Sequence, residues 1–397
     1  MIKDKNILLI SPRFVYPPND GAKIVIFNTI KELSKLNNID YITNISEEDY
    51  TYLEGIKPFI NNSFYIDKDA TKQNLFLLLK SFIFCTSYLF LKYYNKKILN
   101  KIDDFFSKNN YDIVWLESAF STLYAKHIRS KYPNVKIISR SHNTECVLLS
   151  RIGNEEKNVF KKYLINREAK FWKKIEIDYF NYVDKILPIS PADKDYFISR
   201  KSDIFSKTEV LYPGVDTEKY NNNQGITNKK NIVFMGALNY FPNIQGINWF
   251  LKEIFPKVLE KDNEIKLIIV GNNALENLEE YKNNKNIEIV NGTNDDVKYF
   301  NKAKIFIVPL LSGSGIKIKV LTSMSMGKAV ISTQVGVEGL DISNGENIIV
   351  CDNNNEWVGS ILSLINNDEG IKKLGINARK FILKNFSWEE TFRILNI

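Results

Sequence analysis

Cysteine is scarce in this chain of 397 residues, and its spacing argues against two kinds of cross-link. Only three cysteines occur, Cys85, Cys146 and Cys351, and no two of them have the Cys-x-x-Cys spacing. An odd number of scattered cysteines predicts neither a disulfide framework nor a zinc site. We therefore expect a protein of a reducing, cytoplasmic compartment that binds no metal.

Signs of export and of membrane spanning are also lacking. The first residues lead directly into a strand-like segment, so no signal peptide is predicted. One apolar stretch, Leu75 to Leu91, has 17 residues including Lys80, whereas a spanning helix needs about 20 apolar residues. This stretch predicts either a helix with one face at a membrane interface or a buried or partly buried helix, and we expect the latter.

Charge of one sign does not dominate the whole chain. The net charge is +8, but residues 1–210 hold 33 Lys/Arg and 25 Asp/Glu, whereas residues 211–397 hold 21 of each. The basic half interleaves its lysines with acids and has no nucleic-acid motif, so nucleic acid is not an expected partner. Three explanations of the positive charge in the first half are kept: contact with an anionic membrane surface, binding of a phosphate-bearing acceptor, and a simple compositional bias toward Lys, Asn and Ile.

The sequence does contain two successive alternations of strand-like and helix-like segments. The strand-like segments of the first half are 6–11, 40–45, 112–117, 135–141 and 185–190, separated by helical patterns over 22–36, 74–106, 118–131 and 158–183. Those of the second half are 231–236, 266–271, 287–290, 304–309, 329–333 and 347–350. Such alternation predicts an α/β protein with two Rossmann-like domains, each a parallel sheet covered by helices. Because parallel sheets bind ligands beyond the carboxyl ends of their strands, we expect an interdomain cleft.

The expected domain boundary is the segment from Leu211 to Asp216, where the Pro213-Gly214 pair interrupts regular structure. We predict an amino-terminal domain over 1–210 and a carboxyl-terminal domain over 211–375. A helical segment over 376–397 is expected to pack back toward the first domain. Within it, Ser387 and Glu390 have the spacing of a capping box that restarts a helix.

A glycine-rich turn is the most informative feature of the chain. The turn contains Gly313, Ser314 and Gly315, between a strand-like run and a helical pattern. Glycine lets the backbone approach a ligand closely, and the start of a helix favours anions. Lys317 and Lys319 add positive charge. The turn predicts a phosphate site, or otherwise a tight β–α turn with a solvated basic face.

Several motifs, taken in order, resemble one family. They are SPRFVYPPNDGAK at 11–23, SHNTE at 141–145, VLYPGVD at 210–216, FMGALNYFPN at 234–243 and PLLSGSGIKIKV at 309–320. The chain resembles family 4 of the retaining GT-B glycosyltransferases, in particular bacterial members that build cell-surface polysaccharides. The resemblance implies an acceptor-side first domain, a second domain that binds a nucleotide sugar, and metal-independent transfer. The nucleotide sugar is then a co-substrate, and no further cofactor is implied.

The resemblance also assigns roles to residues. It implies that His142 lies near the reacting sugar and that Lys319 contacts the donor phosphates, which makes these two the candidate catalytic residues. The implied donor-binding residues are Gly21, Gly236, Asn291, Gly313, Ser314, Gly315, Lys317 and Thr322. Arg140 and Glu145 are expected to support His142, and no acceptor-binding residue is implied.

Two positions depart from the family pattern. Ser314 and Thr322 stand where many members carry a Glu-x7-Glu pair, and a threonine offers one hydroxyl where a carboxylate would hold the ribose. From the resemblance we expect a hexosyltransferase with a lipid-linked or polysaccharide acceptor. Because of the departures we also keep two alternatives. These are a non-catalytic GT-B protein that binds a glycan or partner, and a nucleotide-sugar epimerase. Peripheral contact of the basic first domain with the inner face of a membrane is also kept open.

Overall fold

The chain forms two compact units. The structure, a computed structural model, describes residues 2–67, 74–221, 225, 227–293, 295–313, 315–393 and 395. Unit 1 comprises Met1–Tyr212 and Phe392–Ile397, and unit 2 comprises Pro213–Thr391. Ser314, a candidate donor-binding residue, lies outside the described residues.

Unit 1 is built on a six-stranded parallel sheet. Its strands are β1 (Asn6–Ser11), β2 (Asn38–Ile45), β3 (Asn62–Asp67), β4 (Ile113–Glu117), β5 (Lys136–Ser141) and β6 (Lys185–Pro188). Its helices are α1 (Gly21–Ser34), α2 (Leu75–Ile83), α3 (Tyr88–Tyr93), α4 (Lys96–Lys108), α5 (Ser118–Thr122), α6 (Ala125–Lys131), α7 (Glu145–Glu155), α8 (Val159–Tyr179) and α9 (Pro191–Arg200). The spatial strand order is β3-β2-β1-β4-β5-β6.

Unit 2 repeats this arrangement. Its strands are β7 (Asn231–Met235), β8 (Lys266–Gly271), β9 (Ile287–Asn291), β10 (Ile305–Val308), β11 (Ala329–Ser332) and β12 (Ile349–Val350). Its helices are α10 (Phe241–Trp249), α11 (Phe255–Lys261), α12 (Ala274–Asn277), α13 (Asp296–Lys302), α14 (Ile318–Ser325), α15 (Asn354–Ile365) and α16 (Asp368–Asn385), followed by α17 (Trp388–Arg393). The spatial strand order is β12-β11-β10-β7-β8-β9.

Both sheets have the strand order of a doubly wound fold, and the predicted α/β architecture with two parallel sheets is confirmed. Central strands such as β1 and β4 are almost entirely apolar and buried, as expected when helices cover both faces. The order reverses between β1 and β4 in unit 1, and between β7 and β10 in unit 2. In such sheets ligands bind at this reversal, beyond the carboxyl ends of the strands.

The predicted single helix over 74–106 is wrong. The chain forms α2, α3 and α4 there because it turns at Cys85, whose φ is 46°. The side chains of Ser87 and Asn95 then accept hydrogen bonds from backbone amides and start new helices. Of the helices in the described parts of the chain, none has the length and apolar composition needed to cross a membrane.

The end of the chain belongs to unit 1. Phe392 stacks on Trp115 of β4 with 6.4 Å between the ring centroids. The guanidinium carbon of Arg140 lies 5.7 Å from the centroid of the same Phe392 ring. The final residues therefore contribute an aromatic side chain to unit 1, next to the strand end that carries the candidate histidine.

Candidate active site

The glycine-rich turn of unit 2 follows β10, at the reversal of strand order. Gly313 has φ 126° and Gly315 has φ 69°, a region in which a side chain is strained, so both positions favour glycine. Helix α14 begins three residues after Gly315. The first amides of a helix have no partner within it. The turn therefore presents backbone donors where an anion can approach.

Lys319 brings an unusual cation to this turn. Its Nζ lies 2.6 Å from Asn243 Oδ1 and 4.6 Å from the centroid of the Phe234 ring. No carboxylate of a described residue pairs with it. Although the residue as a whole keeps some solvent contact, burial of its ammonium and the nearby charge of Lys317 lower the pKa of Lys319 to about 7. A bound anion would stabilise the charged form.

Gly236, which follows β7, makes room for this lysine. A Cβ built on Gly236 would lie 2.9 Å from Lys319 Nζ and 2.9 Å from Asn243 Nδ2. Asn243 Nδ2 donates to the carbonyl oxygen of Ala237 at 2.9 Å, which orients Oδ1 toward the ammonium. Sequence reasoning missed Asn243. The only signal in the sequence was its place in the YFPN motif at 240–243.

His142 follows β5 in unit 1 and pairs with a carboxylate. Its Nε2 lies 2.5 Å from Glu117 Oε2 at the end of β4, and Trp115 Nε1 donates to Glu117 Oε1 at 2.8 Å. Burial alone would raise the pKa of Glu117. The hydrogen bond and charge of His142, with Arg140 and Trp115 behind them, instead hold that pKa below its usual value. The pair fixes the imidazole and leaves Nδ1 unused by Glu117.

Neither of the two residues expected to support His142, Arg140 and Glu145, is hydrogen-bonded to it, and the support that Arg140 gives is indirect. Arg140 donates to the hydroxyl of Thr29 and, at 3.4 Å, to the carbonyl oxygen of Tyr212. It affects His142 indirectly, because its charge stabilises the Glu117 carboxylate. The direct partner, Glu117, was not singled out from sequence. Its signal was a single acid at the end of an otherwise apolar strand.

Comparisons with known proteins agree with these features. A family model described as "Glycosyl transferases group 1" matches residues 229–367, and one described as "Glycosyltransferase Family 4" matches residues 66–219. The chain belongs to the family 4-like glycosyltransferases of the GT-B fold. An uncharacterized 44.6 kDa protein in the cps region of Klebsiella pneumoniae is 27% identical over 97% of both chains. An uncharacterized glycosyltransferase of Methanocaldococcus jannaschii is 25% identical over 72% of this chain and 74% of its own.

Solved structures share the fold across nearly the whole chain. Sucrose-phosphate synthase from Thermosynechococcus elongatus has a TM-score of 0.71 at 14% identity, with 98% of this chain and 96% of that chain covered. Anabaena HepE in complex with UDP-glucose has a TM-score of 0.67 at 13% identity, covering 98% and 97%. TarM has a TM-score of 0.68 at 13% identity, covering 98% and 97%.

The second lysine of this glycosyltransferase has a different environment from the first. Lys317 Nζ donates to the carbonyl oxygen of Gly315 at 2.6 Å and lies 3.3 Å from Glu338 Oε2. These contacts tie the lysine to the glycine-rich turn and offset part of its charge. No role was assigned to Glu338 from the sequence, and the structure shows it as a partner of Lys317.

The remaining donor-binding candidates lie in different surroundings, and their roles remain predictions. The Thr322 hydroxyl is buried and donates to the Ile318 carbonyl oxygen of its own helix at 2.9 Å. Asn291 lies at the carboxyl end of β9, two strands from β7, and its Oδ1 accepts from the Ala274 amide at 2.9 Å. Gly21 is the first residue of α1, and a Cβ there would meet no atom within 4 Å.

Two buried glutamates of α8 position the elements around His142. Glu176 accepts the backbone amides of Glu145 at 3.0 Å and Cys146 at 3.3 Å, and so caps α7. Glu168 likewise accepts the amides of Tyr88 and Leu89 and the hydroxyl of Ser87 at the start of α3. Burial, with nearby carboxylates, raises the pKa of Glu145 to about 7 and that of Glu176 to about 8.

Proposed function

We propose that this glycosyltransferase moves a hexose from a nucleoside-diphosphate sugar to a lipid-linked or polysaccharide acceptor, with retention of configuration and without a metal ion. The observation that carries the proposal is Lys319, a buried cation without a carboxylate partner beside a glycine-rich helix start. Among the described residues the one carboxylate at that turn, Glu338, pairs with Lys317 and not with Lys319, so a diphosphate is a ligand chemistry that fits. The cytoplasm, where nucleotide sugars are made available, is the proposed location.

The proposed chemistry depends on stabilising a leaving group. When the bond between the sugar and the diphosphate breaks, negative charge grows on the phosphate oxygens. Lys319, Lys317 and the backbone amides of the glycine-rich turn would stabilise that charge more strongly than the charge of the intact donor. Among similar structures, HepE was crystallised with UDP and with UDP-glucose, which supports a uridine nucleotide as the first donor to test.

His142 has a separate proposed role. Because the Glu117 carboxylate holds its Nε2, the imidazole ring is fixed in orientation. We propose that Nδ1 hydrogen-bonds the donor sugar and that the imidazole stabilises charge, rather than acting as a general base. The relative from a cps region supports a cell-surface polysaccharide as the product.

A non-catalytic GT-B protein that binds a glycan or a partner is the second candidate. It is favoured by Thr322, whose hydroxyl is bonded within its own helix where the resembling family often holds ribose with a glutamate. Losing a charge-assisted hydrogen bond costs about 1.5–3 kcal/mol. That loss would weaken donor binding by roughly tenfold or more. The proposed contact between Lys319 and the phosphates would remain.

A nucleotide-sugar screen tests the proposal. Thermal-shift measurements across nucleoside diphosphates and their sugars should show stabilisation, because a ligand that binds only the folded state raises its stability. Ligands that stabilise the protein are then assayed for donor hydrolysis and for transfer to lipid-linked acceptors. Absence of turnover would favour the non-catalytic candidate, and conversion of free donor to its epimer would favour an epimerase. No binding of any nucleotide or nucleotide sugar would refute the proposed transfer.

A further inference from the structure

Helix α2 has its apolar side chains outside and a polar side chain inside. Leu75, Phe76, Leu79 and Ile83 are 56–75% exposed, whereas Ser81 is fully buried. The apolar face of a helix in a soluble domain normally packs on the core. The prediction of a buried or partly buried helix is therefore wrong for these four exposed side chains, whereas Leu89 and Phe90 of α3 are partly buried as predicted. A contiguous apolar surface of this kind indicates an interaction site.

Specific polar contacts hold α2 in this orientation. Arg167 of α8 donates to the carbonyl oxygens of Ser81 at 2.7 Å and Thr86 at 3.1 Å. Its guanidinium carbon also lies 4.4 Å from the centroid of the Phe82 ring. A cation beside the last carbonyls of a helix is favourable. These contacts hold the side of α2 that faces α8 in place, so the opposite, apolar side of α2 is exposed to solvent.

The exposed apolar side chains continue along α8. Phe160 and Tyr163 precede Arg167 by seven and four residues, which places all three on one side of the helix. Phe160 is 65% exposed and Tyr163 is 57% exposed. Since Arg167 contacts α2, the side chains of the two helices border each other. We call Leu75, Phe76, Leu79, Ile83, Phe160 and Tyr163 the apolar surface of unit 1.

Positive charge borders this surface. Residues 74–100 hold four lysines and no acidic residue. Lys80 on α2 and Lys161 on α8 are exposed beside the apolar side chains. Lysines next to aromatic and aliphatic groups complement a lipid interface, where phosphates lie above the acyl chains. A second copy of the chain would instead bring the same positive charges face to face, which is unfavourable.

We propose that the apolar surface of unit 1, with Lys80 and Lys161 at its edge, docks the protein on an anionic phospholipid membrane. The apolar side chains enter the boundary between head groups and acyl chains, and the lysines pair with lipid phosphates. This surface is separate from the candidate transfer site, and the proposal stands whether or not the chain transfers a sugar. If transfer does occur, docking brings the enzyme to the membrane that carries a lipid-linked acceptor.

Vesicle sedimentation of the full chain tests the proposal. Wild-type protein should sediment with vesicles of phosphatidylcholine containing about a third phosphatidylglycerol, and much less with phosphatidylcholine alone, because each lysine near an anionic surface contributes roughly fivefold in binding. High salt should weaken the binding. The double variant Phe76→Ser/Ile83→Ser should lose at least about tenfold in vesicle affinity. Leu36→Ser, which changes an exposed leucine after α1, is the matched control and should bind as wild type does.

A fluorescence variant keeps the test decisive if the double variant fails to fold. Most native tryptophans are buried, so Phe76→Trp adds an exposed reporter. Its emission should shift to shorter wavelength with anionic vesicles and be quenched by brominated acyl chains. Unquenched emission, or equal sedimentation of wild type and double variant, would overturn the proposal. A wild-type dimer that becomes monomeric in the double variant, by light scattering, would also overturn it and assign the surface to a second copy.

Discussion

The two units bury charge in opposite ways at the same place in the same fold. At the carboxyl ends of its strands, unit 1 pairs His142 with the carboxylate of Glu117. Unit 2 buries the ammonium of Lys319 against a neutral amide, Asn243, and an aromatic ring. A paired charge is oriented and stable without a ligand, whereas a cation with only neutral partners gains most when an anion arrives. The difference matches the proposed division of roles, in which unit 2 binds the phosphates and unit 1 supplies a preorganised imidazole.

The largest expected effect is the loss of the cation in unit 2. Lys319→Met should lower turnover by roughly a hundredfold to a thousandfold, as removal of one charge-stabilising donor does elsewhere. Stability should hold or rise, since a buried cation without a carboxylate partner disappears. Lys328→Met is the matched control, because burial also lowers the pKa of Lys328 to about 8 but it lies outside the candidate site. Equal losses of turnover in the two variants would refute the role of Lys319.

Removing the carboxylate in unit 1 should have the next largest effect. Glu117→Gln keeps the shape but loses a charge-assisted hydrogen bond worth about 1.5–3 kcal/mol, so turnover should fall roughly tenfold to a hundredfold. The KM for the donor should change little, because the imidazole acts in the transition state. Glu168→Gln, which changes the buried cap of α3, is the control and should lower stability more than turnover. If Glu117→Gln instead lowered stability more than turnover, Glu117 would be only structural.

A smaller effect is expected from the neutral partner in unit 2. Asn243→Ala releases Lys319 from its hydrogen bond, and affinity for UDP measured by calorimetry should fall several-fold to about tenfold. The pH dependence sharpens this test. Because the pKa of Lys319 is about 7, wild-type affinity should decrease as pH rises through 7 and the lysine loses its proton. An affinity independent of pH between about 6 and 8 would contradict phosphate binding by Lys319.

The smallest expected effect is an opposite pH dependence of stability in the two units. In unit 1, Glu145 and Glu176 have raised pKa values of about 7 and 8, so their stabilising contribution is complete below about 4.5 and is lost as pH rises through 7–8. In unit 2, Lys319 and Lys328 have lowered pKa values, so stability increases from about pH 7 toward 10.5. Hydrogen exchange corrected for intrinsic rates should resolve the direction of both trends. Parallel trends would contradict this assignment.

The two sheets could be predicted because their signal is local. Runs such as Ile7–Ile10 and Ile305–Val308 are apolar throughout, and they alternate with helical patterns. Strand β3 was missed because it lies at the edge of the sheet, where only Ile66 is buried. The three helices over 75–108 could have been separated, since Ser87 and Asn95 are good capping residues, but the continuous apolar composition suggested one helix.

The partners of the site residues could not be predicted because they depend on tertiary contacts. The contact between Glu117 and His142 follows from β4 and β5 being neighbours, with Glu117 opposite Arg140 in the register. Asn243 reaches Lys319 across 76 positions of sequence. Motif resemblance located His142, Lys319 and the glycines, but the polar groups that orient them are fixed only when the strands assemble.

The stripe of Glu168, Trp172 and Glu176 on α8 has a consequence for engineering. The two carboxylates hold the starts of α3 and α7, and the indole between them is fully buried. A chimera that takes α8 alone from a relative without these two glutamates would leave the amides at the starts of α3 and α7 uncapped, whereas exchanging α3, α7 and α8 together would keep each cap with its own helix. Chimeras of this region should therefore exchange the three helices as one unit.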